Sequence, residues 1–169
     1  MSSVKFEHFL QKMKENWPEA YRTLMPVFPR LDRISALHNL HQAEIMSGFG
    51  LLASDFGLLT ALRRSGEPYQ LSPTQLREFM LVSSGGMTKA LYRLEDKGMV
   101  SRTSKSGDAR VKLVQLTEKG KATIEAAVKK VQKTHSVLTN EFSREELDQL
   151  DQLLARFLNV VERESGIQN

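Results

Sequence analysis

The sequence predicts a mostly α-helical chain with one small β-hairpin, on three observations. Apolar residues recur at steps of three and four through most of the 169 residues. Ser, Thr and Pro stand where helices need their starts. Only the stretch from Met99 to Leu116 changes to a period of two. Hydrophobic residues at 40% and charged residues at 26% describe an ordinary globular chain, and the length suits one domain over 1–169.

Phe6, Phe9, Leu10, Met13 and Trp17 lie on one face of a first helix, with Ser2 or Ser3 as its cap and Pro18 at its end. No helix is expected to run through Pro26 to Pro29. Leu31, Ile34, Leu37, His41 and Ile45 then mark a helix to about Ser47, broken by Gly48 and Gly50. Ser54 is the expected N-cap of a helix that turns Phe56, Leu59 and Leu62 inward and stops at Ser65-Gly66-Glu67-Pro68. Ser72-Pro73-Thr74-Gln75 combines a cap, a proline at the first helical position and a capping box, for a short helix to near Leu81. Ser83 caps the next helix, which runs to about Lys97 and stops at Gly98.

Met99–Thr103 and Val111–Leu116 alternate as two antiparallel strands, and 104–110 is expected to be a protruding loop. Thr117 caps a long helix with Ile124, Val128, Val131 and Leu138 on one face. Ser143-Arg144-Glu145-Glu146 opens the last helix, whose stripe is Leu147, Leu150, Leu154, Phe157 and Val161, widened by Leu153 and Leu158.

Several function classes fall away. The chain has no cysteine, which excludes disulfides, thiolate metal sites and catalytic thiols. No apolar run approaches the roughly 18 residues of a membrane span. Charged residues stand where a signal peptide needs its apolar centre, so a cytoplasmic location is expected and no membrane partner. No Ser-His-Asp set, carboxylate pair or phosphate-cradling glycine loop has its required context, so neither an enzyme nor a cofactor is expected.

The order of short helices, hairpin and long helices is that of a winged helix-turn-helix inside an α-helical frame. Its turn would be Phe79-Met80-Leu81-Val82-Ser83, and its second helix would enter a DNA major groove. That helix begins with Ser83, Ser84, Gly85, Gly86, Thr88 and Lys89, which are small, hydrogen-bonding or basic. Between Ser83 and Lys112 seven basic residues face three acidic ones, an excess equal to the +4 of the whole chain. Basic charge confined to the reading unit is the footprint of phosphate binding. We therefore divide the chain into N-terminal helices (1–50), a winged helix-turn-helix unit (54–116) and C-terminal helices (117–165).

From about Ser54 to Gly120 the chain resembles the MarR family of bacterial transcription regulators. The resemblance rests on Phe56-Gly57-Leu58-Leu59, Ser72-Pro73-Thr74-Gln75-Leu76, the run Met87–Arg102, Asp108-Ala109-Arg110 and Leu116-Thr117-Glu118-Lys119-Gly120, in that order. It implies an obligate homodimer whose first and last helices interlock, bound to a pseudo-palindromic double-stranded DNA operator. It implies that Thr88, Lys89 and Arg93 face DNA, and that Arg110 at the wing tip enters the minor groove, oriented by Asp108. Ala109 stands where the family usually has a second basic residue. Lys105 and the helix-start residues Ser83 and Ser84 complete the expected DNA contacts. The alternative is a ligand-binding or protein-interaction module of the same fold without DNA readout, against which the retained basic residues argue.

A repressor released by a small aromatic or phenolic ligand is the expected mode of action. The expected crevice involves Trp17, His41, Ile45 and Phe56. Gly57 stands where a urate-binding subgroup carries an acidic residue, so urate is not the expected effector. His38, His41 and Glu44 sit at i, i+3, i+6, but ordinary surface or pocket roles are expected rather than a metal site.

Overall fold

A computed structural model describes residues 5–79, 84–105 and 108–166. Among these residues the chain forms eight helices and a three-stranded antiparallel sheet of order β1-β3-β2. None of these helices is long and apolar enough to cross a membrane.

Helix α1 (Phe6–Asn16) starts after Lys5, so the cap expected at Ser2 or Ser3 lies outside the described residues. Pro18 does end it, but also opens a short helix not foreseen in the sequence, α2 (Pro18–Thr23), because a proline at the first helical position loses no hydrogen bond. The same reason corrects the break expected at Pro29. Helix α3 (Val27–Ser47) runs through it, since Pro29 falls in the first turn, where N–H groups have no intrahelical acceptor. At the far end Gly50, at φ 65°, turns the chain so that Leu51 N–H reaches the Met46 carbonyl at 2.9 Å.

Helix α4 (Ala53–Arg64) is capped at Leu52 rather than Ser54. Asp55 supplies the stabilising contact instead, its Oδ2 accepting the Leu52 N–H at 3.0 Å. Helix α5 (Pro73–Phe79) has the expected capping box, with Ser72 Oγ accepting from Gln75 N–H and Gln75 Oε1 from Ser72 N–H. Residues 80–83, which hold the expected turn and the Ser83 cap, lie outside the described residues. Helix α6 (Ser84–Asp96) ends ahead of Gly98, at φ 63°.

The hairpin is longer than expected. Strands β2 (Val100–Lys105) and β3 (Asp108–Leu116) continue into the stretch read as loop, with a bulge between Ser104 and Lys105. Ser104 pairs with Lys112 and Lys105 with Asp108, and backbone pairing needs no apolar alternation. A third strand, β1 (Gln70–Leu71), pairs with Gln115 and Val114; at two residues it is too short to carry a periodicity.

Helix α7 (Glu118–Thr139) is capped by Thr117, and α8 (Arg144–Glu164) by the Ser143–Glu146 box. The core lies between α4, α5, α6, the sheet and the first half of α7. Leu58, Leu59, Leu62, Leu76, Leu94 and Ile124 are almost wholly buried there. Gly120 permits this packing: a Cβ on it would lie 2.0 Å from the Met99 carbonyl oxygen. By contrast α1, α2 and α8 bury no residue at all.

Candidate nucleic-acid interface

The inward face of α6 is Met87, Ala90, Leu91 and Leu94, all buried. Helical geometry then sends Thr88, Lys89 and Tyr92 outward, and all three are exposed. Gly85 and Gly86 precede them, leaving the first turn without bulk. Lys112 on β3 is also exposed. Ser83 lies outside the described residues, as do the side chains of Ser84, Lys105, Asp108 and Arg110. The backbones of Lys105 and Asp108 are described, and pair with each other across the hairpin.

Not all the basic residues of this unit face outward, and Arg93 requires a correction. Its guanidinium is turned back onto α4, where Nη2 donates to Asp55 Oδ1 at 2.6 Å and to Ser54 Oγ at 3.1 Å. Asp55 is completely buried, so a charged partner is what makes its carboxylate tolerable. Arg93 holds α6 against α4 rather than standing free for a base. Lys97 donates from Nζ to the Gly50 carbonyl, tying the end of α6 to the turn after α3. Arg102 on β2 forms a two-pronged pair with Glu95 of α6, Nε to Oε1 at 2.8 Å and Nη2 to Oε2 at 3.0 Å. That bond raises the Arg102 pKa above its already high value, and the guanidinium also lies over the Tyr92 ring at 5.6 Å. Three of the seven cations thus assemble the unit, while Lys89 and Lys112 remain displayed.

The expected effector crevice is only partly formed as foreseen. A cavity of about 330 Å³ lies between α3 and α7, and His41 and Ile45 do line it, with Ile34, His38, Val131 and His135. Phe56 does not; it is half-buried against the core from α4. Trp17 is 61% exposed at the α1–α2 junction, beside Phe9 and Met13 and away from this cavity. Among the described residues no three His, Asp or Glu side chains converge as a metal site. His38 faces His135 instead, with ring centroids 5.4 Å apart.

Three participants were missed in the sequence. Tyr92 had a usable signal, three and four residues beyond Lys89 and Thr88. Asp55 and His135 had none, because their partners Arg93 and His38 are remote in sequence.

The sequence model of the MarR family matches residues 49–111. The HTH-type transcriptional regulator PecS of Dickeya dadantii (strain 3937) is 32% identical over 153 residues, which cover 90% of this chain and 92% of PecS. The uncharacterized HTH-type transcriptional regulator YdgJ of Bacillus subtilis (strain 168) is 36% identical over 112 residues, 66% of each chain. The crystal structure of a cysteine-to-serine mutant of MarR from E. coli, complexed with operator DNA, matches with a TM-score of 0.69 and 27% identity, over 82% of this chain and 97% of that one. With the three-stranded winged unit described above, these likenesses identify a regulator rather than an enzyme: the chain belongs to the MarR family of winged helix-turn-helix, DNA-binding transcriptional regulators.

Proposed function

We propose that this chain acts as a homodimer on a pseudo-palindromic operator and represses transcription by occupying it. The observation that carries DNA reading is the outward face of α6, where Thr88 and Lys89 stand on a helix whose other face is locked into the core. A helix so presented can enter the major groove, with Lys112, Lys105 and Arg110 on the wing ribbon supplying phosphate or minor-groove contacts and Asp108 orienting Arg110. Ser83 and Ser84, at the start of the helix, suit phosphate.

Dimerisation is supported by α8. It has 21 residues, none buried, yet Leu150, Leu153, Leu154, Leu158 and Val161 are between 41% and 64% exposed. Phe28 and Ile34 on α3 are also exposed, and Phe28 lies 5.7 Å from Phe157 of α8. An apolar stripe of this length is the kind of surface that a second copy covers. Two copies also set two reading helices about 34 Å apart, one turn of DNA.

The effector proposed is a small aromatic or phenolic compound in the α3–α7 cavity. Its walls are largely apolar, with imidazoles of His38, His41 and His135 as hydrogen-bonding groups. Filling it would change how α7 carries the reading unit relative to α3, and with it the spacing of the two heads.

The test combines sedimentation with gel shifts. The chain should sediment as a dimer at micromolar concentration, select a two-fold-related sequence from a random duplex library, and release it in the presence of one member of a phenolic panel. A monomer, or a chain with no sequence preference at low salt, overturns the reading.

A further inference from the structure

Among its described side chains, the winged unit leaves one large apolar group, Tyr92, in water. From Ala53 to Leu116, among the residues whose side chains are described, every large hydrophobic is at least partly buried except Tyr92, which is 63% exposed. The other exposed large hydrophobics lie in α1–α3, at Leu52, in the second half of α7 or beyond, where helix packing between copies can cover them. Tyr92 is on the opposite side of α6 from the buried face, one turn past Thr88 and Lys89.

Its ring is also held. Arg102 lies over it at 5.6 Å, and both prongs of that guanidinium are committed to Glu95. A cation neutralised in this way adds little to phosphate attraction. Its geometry instead fixes the orientation of an aromatic ring on a helix surface, through a contact from the neighbouring strand.

We propose that Tyr92 is a specificity-determining residue, its ring packing against the C5-methyl group of a thymine in the major groove, with Arg102 and Glu95 as positioning residues. This rests on the DNA-reading orientation of α6 proposed above. Thymine is the one base that offers an apolar group in the major groove, and an oriented ring edge is the complementary surface. Gly85 and Gly86 ahead of it let the helix lie close to the base edges.

The experiment takes the best duplex that the full chain selects from a random library and replaces its thymines one at a time by deoxyuridine. For the wild type, uracil at one position in each half-site should weaken binding roughly fourfold, the worth of one buried methyl group. Tyr92→Phe should keep this thymine preference and Tyr92→Ala should lose it. Glu95→Gln should lose the thymine preference by weakening the thymine duplex towards the uracil one, without weakening the uracil duplex, since it also removes a negative charge near DNA; a purely structural role would weaken both duplexes and keep their ratio. Tyr92→Ala that still distinguishes thymine from uracil, or that weakens both equally, overturns the proposal. Retained preference in Glu95→Gln overturns the positioning role. Should the wild type select no sequence at all, the reading orientation itself fails and Tyr92 falls with it.

Discussion

Arg93 and Asp55, 38 residues apart in the chain, meet at 2.6 Å between α6 and α4, the arginine 33% exposed and the aspartate completely buried. This pair mounts α6 on α4. The buried carboxylate is paired by a cation that α6 carries to α4. Ser54 and the Leu52 N–H complete the cluster.

Arg93→Ala should therefore act on stability first. It leaves Asp55 buried without its charge partner, which costs about 3 kcal/mol for pairs of this kind. Chemical denaturation should show that loss, and any loss of DNA affinity should extend to every duplex without a change in sequence preference. A variant as stable as the parent, with relaxed preference, would instead return Arg93 to the role of a base reader.

Lys89→Ala and Arg110→Ala should each flatten the salt dependence of DNA binding, by about one unit of log–log slope per lost phosphate contact. Titration of duplex against salt concentration checks this. Lys97→Ala, whose ammonium is occupied by the Gly50 carbonyl, should leave the slope close to the parent value. If the three variants have the same slope, the division between displayed and structural cations is wrong.

Gly120→Ala should destabilise the fold. The added methyl would collide with the Met99 carbonyl and the Leu116 side chain, and backbone cannot step aside as a flexible side chain does. Overpacking costs about 1–3 kcal/mol in well-packed cores, and a backbone collision belongs at the upper end. Thermal melting checks this, with Ala126→Ser on α7 as the control; Gly66→Ala would not serve, since Gly66 has φ 81°.

Glu146 should titrate below its ordinary 4.5. The Ser143 N–H donates to its Oε2 at 2.8 Å, and this bond, with the nearby Ser143 hydroxyl, favours the charged form. A carboxyl whose folded pKa is depressed adds stability above its ordinary value and loses it as pH falls through the folded value. The start of α8 should accordingly fray in acid. A carbon-detected NMR titration of the Glu146 carboxyl checks the direction, and Ser143→Ala should move it back towards 4.5.

Much of this molecule is local, and so was legible in the residues. Capping boxes at Ser72 and Ser143, the cap at Thr117 and the stop before Gly98 depend on neighbours within four positions. The period-two stretch marked the hairpin, and the ordered motifs from Phe56 to Gly120 marked the family. Pro29 misled because a proline forbids a helix only after its first turn, and the sequence does not say where that turn begins. Strand β1 escaped because its two residues become a strand only when β3 arrives beside them.

Tertiary structure decided which charges are free. Seven cations in the reading unit look alike in the chain, and counting them pointed correctly to DNA. Only the fold brings Asp55 to Arg93, Gly50 to Lys97 and Glu95 to Arg102, and leaves Lys89 in water. Helical periodicity places a side chain on a face of its own helix, but the face acquires a meaning from what packs against it. A charge is spent or displayed according to its partners, 38 and 47 residues away for Arg93 and Lys97 and seven for Arg102, and chain folding alone sets those distances.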